Sequence, residues 1–138
     1  MKHQRALVVT LLTTLVASAG CLFPTEPSSP QSFVLAPGES ASYGALRVRF
    51  VGVTADSRCP ANALCIQQGD AAFTVEARVR NVDPASYELL INDTARRRVV
   101  HAGYAIEATE LAPYPFAIAT INPIAPGDYR LTLKLSRQ

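Results

Sequence analysis

The sequence has no tryptophan, one methionine, two histidines and three cysteines, and only 17% of its 138 residues are charged. One histidine, His3, lies in a leading segment argued below to be removed, which leaves His101. A single histidine, with no Gly-x-Ser-x-Gly elbow, His-Glu-x-x-His pair or phosphate loop around it, frames no catalytic constellation. The composition therefore argues against an enzyme, and no cofactor is expected. No apolar run reaches the roughly 18 residues that a membrane-spanning helix needs. Excess charge is also lacking. Thirteen basic side chains face eleven acidic ones, and without Lys2 and Arg5 the two signs balance. A neutral body excludes nucleic acid as the main partner, because phosphate binding requires clustered positive charge. What is present in quantity is apolar surface, at 49% of residues. That share is too high for a disordered chain, and the length suits one domain.

The first twenty-one residues read as an address followed by an anchor. Lys2 and Arg5 form a charged start, and Ala6 to Ala17 (ALVVTLLTTLVA) are uncharged and mostly apolar. That run is long enough to engage a secretion channel and too short to span a bilayer. The small residues Ser18-Ala19-Gly20 then precede Cys21. This stretch resembles the lipobox of bacterial lipoproteins, with Ser18 where Leu is commoner. The resemblance implies cleavage after Gly20, lipidation of Cys21 and acyl chains that hold the protein to a membrane. The other reading is an ordinary secretory signal with an incidental Cys. Leu22 stands where Asp commonly retains lipoproteins in the inner membrane. If the host has two membranes, the outer one is thus favoured, with the domain facing periplasm or surface. Residues 22–32 (LFPTEPSSPQS) carry Pro24, Pro27 and Pro30 at three-residue spacing. They predict an extended, polyproline-like tether that does not pack. The expected organisation is a signal peptide over 1–20, a lipidated Cys and tether over 21–32, and one domain over 33–138.

That domain reads as strands and turns. Leu46, Val48 and Phe50 alternate with Arg47 and Arg49. Phe73, Val75, Ala77 and Val79 alternate with polar residues, as do Tyr129, Leu131, Leu133 and Leu135. A period of two places one set of side chains on each face of a sheet. Shorter candidates are Ser32–Ala36, Ser40–Tyr43, Tyr87–Ile91, Arg97–His101 and Tyr104–Leu111. Turn signals at Pro37-Gly38, Asn81 to Pro84, Asn92-Asp93 and Pro126-Gly127-Asp128 separate them. Seven or eight short strands predict an all-β, antiparallel β-sandwich with Ig-like, Greek-key connections, and a small closed barrel as the alternative. The proline-bearing segment Leu111 to Pro126 is expected to cross between the sheets, with Phe116, Ile118 and Ile121 packed in the core, the alternative being an exposed contact patch of Tyr114 and Phe116.

With Cys21 assigned to lipid, Cys59 and Cys65 remain as a pair separated by five residues. An exported protein meets an oxidising compartment, where so close a pair forms a disulfide. A zinc site needs about four ligands, and only His101 and carboxylates are left to add. A redox pair usually has two intervening residues. Calcium held by Asp56, Asp70 and loop carbonyls lacks the Asp-x-Asp-x-Asp-Gly spacing. Within the loop, Asp56 and Ser57 favour a turn, Arg58 is suited to brace Asp56 or Asp70, and Gly69 suits positive φ or a tight approach. The alternative is that the closed loop presents Arg58, Asn62, Gln67 and Gln68 to a ligand or partner.

The run Asp56-Ser57-Arg58-Cys59-Pro60, then Cys65, then Gln68-Gly69-Asp70-Ala71, is similar to a DSRCP-x4-C-x-W-x-G-x-A pattern found in a family of small uncharacterised bacterial lipoproteins and exported β-domains. Phe33 to Ser40 (FVLAPGES), the Leu46–Val53 strand and Leu111 to Pro115 (LAPYP) agree with it. Gln67 occupies the family's Trp position. The resemblance implies location and fold, and no particular activity.

Three further groups carry less. Arg47, Arg49, Arg78 and Arg80 alternate with Glu76 and read as a solvated sheet face, the alternative being a basic patch for anionic lipid or glycan. Arg96-Arg97-Arg98 reads as a solvated turn and strand start, the alternative being contact with phosphates of the membrane surface. Glu107 and Glu110 are three apart, which on a regular strand places them on opposite faces and excludes an acid/base pair. The function expected from the sequence is a non-catalytic binding module anchored in the cell envelope, partnered by the membrane through Cys21 and by an envelope protein or ligand. The alternative is a small hydrolase or enzyme inhibitor using the 56–71 loop.

Overall fold

A computed structural model describes residues 27–116 and 124–138. The expected signal peptide, Cys21, Ile118 and Ile121 lie outside the described residues.

Among the described residues, the alternating segments form eight strands: β1 (Gln31–Leu35), β2 (Ser40–Tyr43), β3 (Leu46–Asp56), β4 (Ala71–Val79), β5 (Ala85–Leu90), β6 (Arg98–His101), β7 (Tyr104–Ala112) and β8 (Arg130–Arg137). They build two four-stranded antiparallel sheets, in the orders β1-β8-β7-β6 and β2-β3-β4-β5. The sheets face one another as a sandwich and do not close into a barrel. The alternation decides which atoms lie between them. Val48 and Phe50 of β3, Phe73, Val75 and Ala77 of β4, and Leu131, Leu133 and Leu135 of β8 are all buried in one cluster. Phe50 meets Phe73 edge-on at 6.3 Å, and Tyr43 meets Tyr104 edge-on at 6.2 Å across the two sheets.

Connectivity departs from the expectation. β2 to β5 and β6 to β8 are each meanders of sequence neighbours, and β1 joins beside β8. The Greek-key connections are therefore replaced by hairpins, with the chain changing sheets between β1 and β2 and between β5 and β6. Short turns explain the β2–β3, β4–β5 and β6–β7 pairings, since closely spaced antiparallel strands pair with their neighbours. The expected crossing between sheets by the proline-bearing segment is also corrected, because the strands it connects, β7 and β8, are adjacent in one sheet. Phe116 is exposed, not packed in the core.

The sandwich has two unlike ends. At one, which we term the tether pole, the short links 44–45, 80–84 and 102–103 gather beside Gln31 and Gln138. The Tyr43 hydroxyl lies 3.0 Å from the carbonyls of both Pro27 and Ser29 and shares its hydrogen between them. The end of the expected tether is thus docked, and its last two residues belong to β1. At the other end, the loop pole, residues 57–70 and 91–97 gather with 113–116 and 124–129. The eleven residues of β3 run between the poles, about 30 Å.

Candidate functional site

The loop pole is built outward from the β3–β4 hairpin. The ladder continues past Asp56 and Ala71: the amide of Ser57 donates to Asp70 O at 2.8 Å, and that of Cys59 to Gln68 O at 2.7 Å. Cys59 and Cys65 are joined by a disulfide with their Cα atoms 6.0 Å apart, so residues 60–67 form a closed tip on this ladder. Gly69 has φ +67°, and a Cβ placed there would stand 1.9 Å from the carbonyl oxygen of Ser57. Both reasons given for a glycine therefore apply at once. Only a residue without a side chain permits this turn and this approach.

Arg58 organises the base of the loop. Its Nε donates to Asp56 Oδ1 at 2.8 Å and its Nη2 to Oδ2 at 2.6 Å, a two-pronged pair. Nη1 donates to Leu111 O at 2.6 Å and Nη2 also to Pro113 O at 3.0 Å. The guanidinium lies 5.1 Å from the centre of the Tyr114 ring. Asp56 accepts a further bond from the Tyr129 hydroxyl at 3.0 Å. Burial pushes the Asp56 carboxyl up, and the hydrogen bonds and charge of Arg58, with the Tyr129 bond, outweigh it and hold the group below its usual 3.8. Burial and the Asp56 carboxylate push the Tyr129 phenol up from 10.0.

The four candidate recognition residues are not brought together. Arg58 is only 4% exposed, with its donors directed inward, so it is a brace and not a residue offered to a ligand. Its partner is Asp56. Asp70 instead ties down backbone, its Oδ1 accepting from the amides of Asn92 at 2.9 Å and Ala71 at 2.7 Å. Gln68 is exposed but donates through Nε2 to the Tyr114 hydroxyl at 3.1 Å. Asn62 and Gln67 are exposed at the tip, where Leu64 and Ile66 are also fully in solvent.

Sequence reasoning missed Tyr129, Tyr114 and Asn92. Their signal was weak because each reaches the loop from a distant segment. Asn92 Nδ2 donates to Gly69 O at 2.9 Å, and the amide of Ala61 donates to Pro115 O at 2.9 Å. Three loops are thereby locked into one surface. An open depression of about 480 Å³ beside Arg58 is lined by Thr54, Asp56, Pro115, Phe116 and Tyr129 among others.

His101 stands far from this surface. It ends β6 opposite Tyr104, near the tether pole, is 6% exposed, and its Nδ1 lies 3.0 Å from the Tyr87 hydroxyl. Asp56 and His101 are separated by most of the length of the sheets, about 25 Å, so they cannot act on one substrate atom. The two glutamates of β7 require a correction. A register shift between Ala108 and Glu110 sets Glu107 opposite Lys134 and Glu110 opposite Thr132. Lys134 and Thr132 are two apart on β8, so both glutamates face the outer side. Glu107 is engaged by Arg97 at 3.4 Å. Among the described residues, no group of His, Cys, Asp and Glu has the arrangement of a metal site.

Comparison of the chain with protein-family models, with curated proteins and with solved structures returns no match.

Proposed function

We propose that this chain is a bacterial lipoprotein held to the cell envelope by acyl chains on Cys21, and that its sandwich is a non-catalytic module that presents the disulfide-closed loop to an envelope protein or ligand. The placement of the two poles carries the binding reading. The chain reaches the sandwich at the tether pole, where Tyr43 holds Pro27 and Ser29, while the closed loop stands at the opposite end. A domain tethered through residues 21–26 would turn its longest loops away from the bilayer. Loops held rigid on a sheet scaffold are where such domains carry recognition. The anchor itself rests on the Lys2 to Cys21 pattern and on the lipobox resemblance. The likeness of residues 56–71 to the small lipoprotein family agrees with both. A non-catalytic role is supported by the engagement of Asp56 and Asp70 in internal bonds and by their distance from His101. With Leu22 after the anchor, an outer membrane is the favoured address in a two-membrane host.

The test has two arms. Intact mass of the protein from the membrane fraction is expected to show the loss of residues 1–20 and acyl chains on Cys21, and Cys21→Ser is expected to remove the acyl mass. Full-length, unacylated chain in the membrane fraction overturns the anchor. A photo-crosslinking residue in place of Gln67 is expected to capture an envelope component that the same probe in place of Asp83, at the tether pole, does not. Equal capture at both places, or none, overturns the loop as the recognition surface.

A further inference from the structure

The two outer faces of the sandwich treat charge differently. On the β1-β8-β7-β6 sheet, opposite charges oppose one another: Lys134 faces Glu107, and Glu107 faces Arg98. On the β2-β3-β4-β5 sheet, Arg47 lies directly opposite Arg78. The Cβ atoms of such a pair stand about 5 Å apart, and like charges directly opposite one another repel. The sequence pattern suggested dilution by Glu76, but the register sets Glu76 opposite Arg49, where the pair meets at 3.7 Å. Among the described residues, the ion pairs involve Arg49, Arg58, Arg96 and Arg97, and none involves Arg47 or Arg78. A shallow depression of about 280 Å³ on this face is lined by Ser40, Arg47, Arg49, Glu76 and Arg78. Two unpaired guanidinium forks on one rung form a receptor for a multi-oxygen anion, and phosphate oxygens match their geometry.

The position of the rung says which phosphate is at hand. Leu46 opposite Val79 is the first rung of the β3–β4 pair at the tether pole, and Arg47 opposite Arg78 is the next. Arg80 follows directly in the turn, with Asp83 as the acidic residue of that turn. Tyr43, which docks Pro27 and Ser29, is the β2 partner of Leu46. From Cys21 to Pro27 the chain has six backbone steps, which reach at most about 20 Å. A lipid on Cys21 would therefore hold this rung close to the headgroups. We propose that Arg47 and Arg78, supported by Arg49 and Arg80, bind the phosphate groups of anionic lipids, so that the tether pole leans on the membrane and the loop pole points away. The location rests on the anchor reading, whereas the phosphate affinity does not.

The experiment uses the full chain with Cys21→Ser, which has no sulfur to acylate. Sedimentation with vesicles of phosphatidylcholine alone is compared with vesicles that also contain phosphatidylglycerol. The chain is expected to prefer the anionic vesicles, and that preference weakens as salt rises. Adding Arg47→Ala and Arg78→Ala lowers it by about 25-fold, about five-fold for each guanidinium. Adding Arg98→Ala, on the other outer face and opposite Glu107, leaves it unchanged. All three chains share one amino terminus, so its own affinity for lipid cancels in the comparison. A double variant that binds as well as its parent, with its β circular dichroism intact, overturns the proposal. Calorimetric binding of inorganic phosphate at Arg47 and Arg78 without preference for anionic vesicles also overturns it and assigns the rung to a soluble anion. Acylation is read separately by the mass of the Cys21 chain, so either proposal can fail without the other.

Discussion

At the scale of the residue, Arg58 shows how a charge is kept inside a small protein. Taking a guanidinium out of water is costly unless a counter-charge and further acceptors surround it. Here one carboxylate and two backbone carbonyls supply that shell. Removing one member leaves the other buried without compensation, which costs about 3–5 kcal/mol, whereas removing both costs less. Asp56→Asn is therefore expected to be more destabilising in urea unfolding than Asp56→Asn with Arg58→Met. The pair also shapes the response to acid. The folded carboxyl titrates below the usual 3.8, so the folded state is favoured by its ionised form at every pH above that value. This contribution declines as pH falls below 3.8 and is gone beneath the folded pKa. Unfolding followed from pH 6 downward, about the neutral side of the carboxylate range, should lose a component near and below 3.8 that Asp56→Asn lacks. The Asp56–Arg58 contact was legible as one of two options, because a two-residue spacing brings both groups to the same turn. The choice over Asp70 was not, since it depends on Leu111, Pro113 and Tyr129 arriving from another sheet.

At the scale of the element, the β3–β4 hairpin explains why the closed loop keeps its shape. Its ladder runs on through Ser57–Asp70 and Cys59–Gln68, and Gly69 lets the two backbones meet. Gly69→Ala would place a methyl within the carbonyl of Ser57 and hold an L-residue at positive φ. The cost is at least about 2 kcal/mol, combining left-handed strain with overpacking. Amide exchange should accelerate at Ser57 and Cys59 while β8 stays protected, and unchanged exchange at both sites would contradict this account. The bulge in β7 belongs to the same scale. A regular strand would separate Glu107 from Glu110, and one extra residue brings both to the outer face. Nothing in the side-chain alternation announces a bulge, because it is decided by pairing with β8.

At the scale of the whole molecule, stability is shared between a sheet-to-sheet core and one covalent closure. Among the described residues, twenty buried side chains, Phe50, Phe73 and Leu133 included, form a single cluster between the sheets, whereas the Cys59–Cys65 bond lies outside it at the loop pole. The disulfide acts on the unfolded chain by shortening a small loop, contributing about 2 kcal/mol in the chain-entropy view. Cys59→Ser with Cys65→Ser should lower the melting temperature by about 10 °C for a domain of this size and leave the far-ultraviolet spectrum of the sheets in place. Loss of the sheet signal at room temperature would show that the loop, not the core, holds the fold together.

Period-two patterning, turn residues and a close cysteine pair were enough to specify seven or eight strands, the inward faces of β3, β4 and β8, and the closed loop. Each of these depends on neighbours within a few residues. The partners across strands needed the folded chain. Arg47 meets Arg78, Glu107 and Glu110 share a face, Arg58 turns inward, and β8 pairs with β7 in one sheet. Register and sheet order arise where distant segments meet, and a shift of one residue reverses every face. That is why the core could be read along the chain, while the two poles and the charge on the outer faces emerged only once the strands were paired.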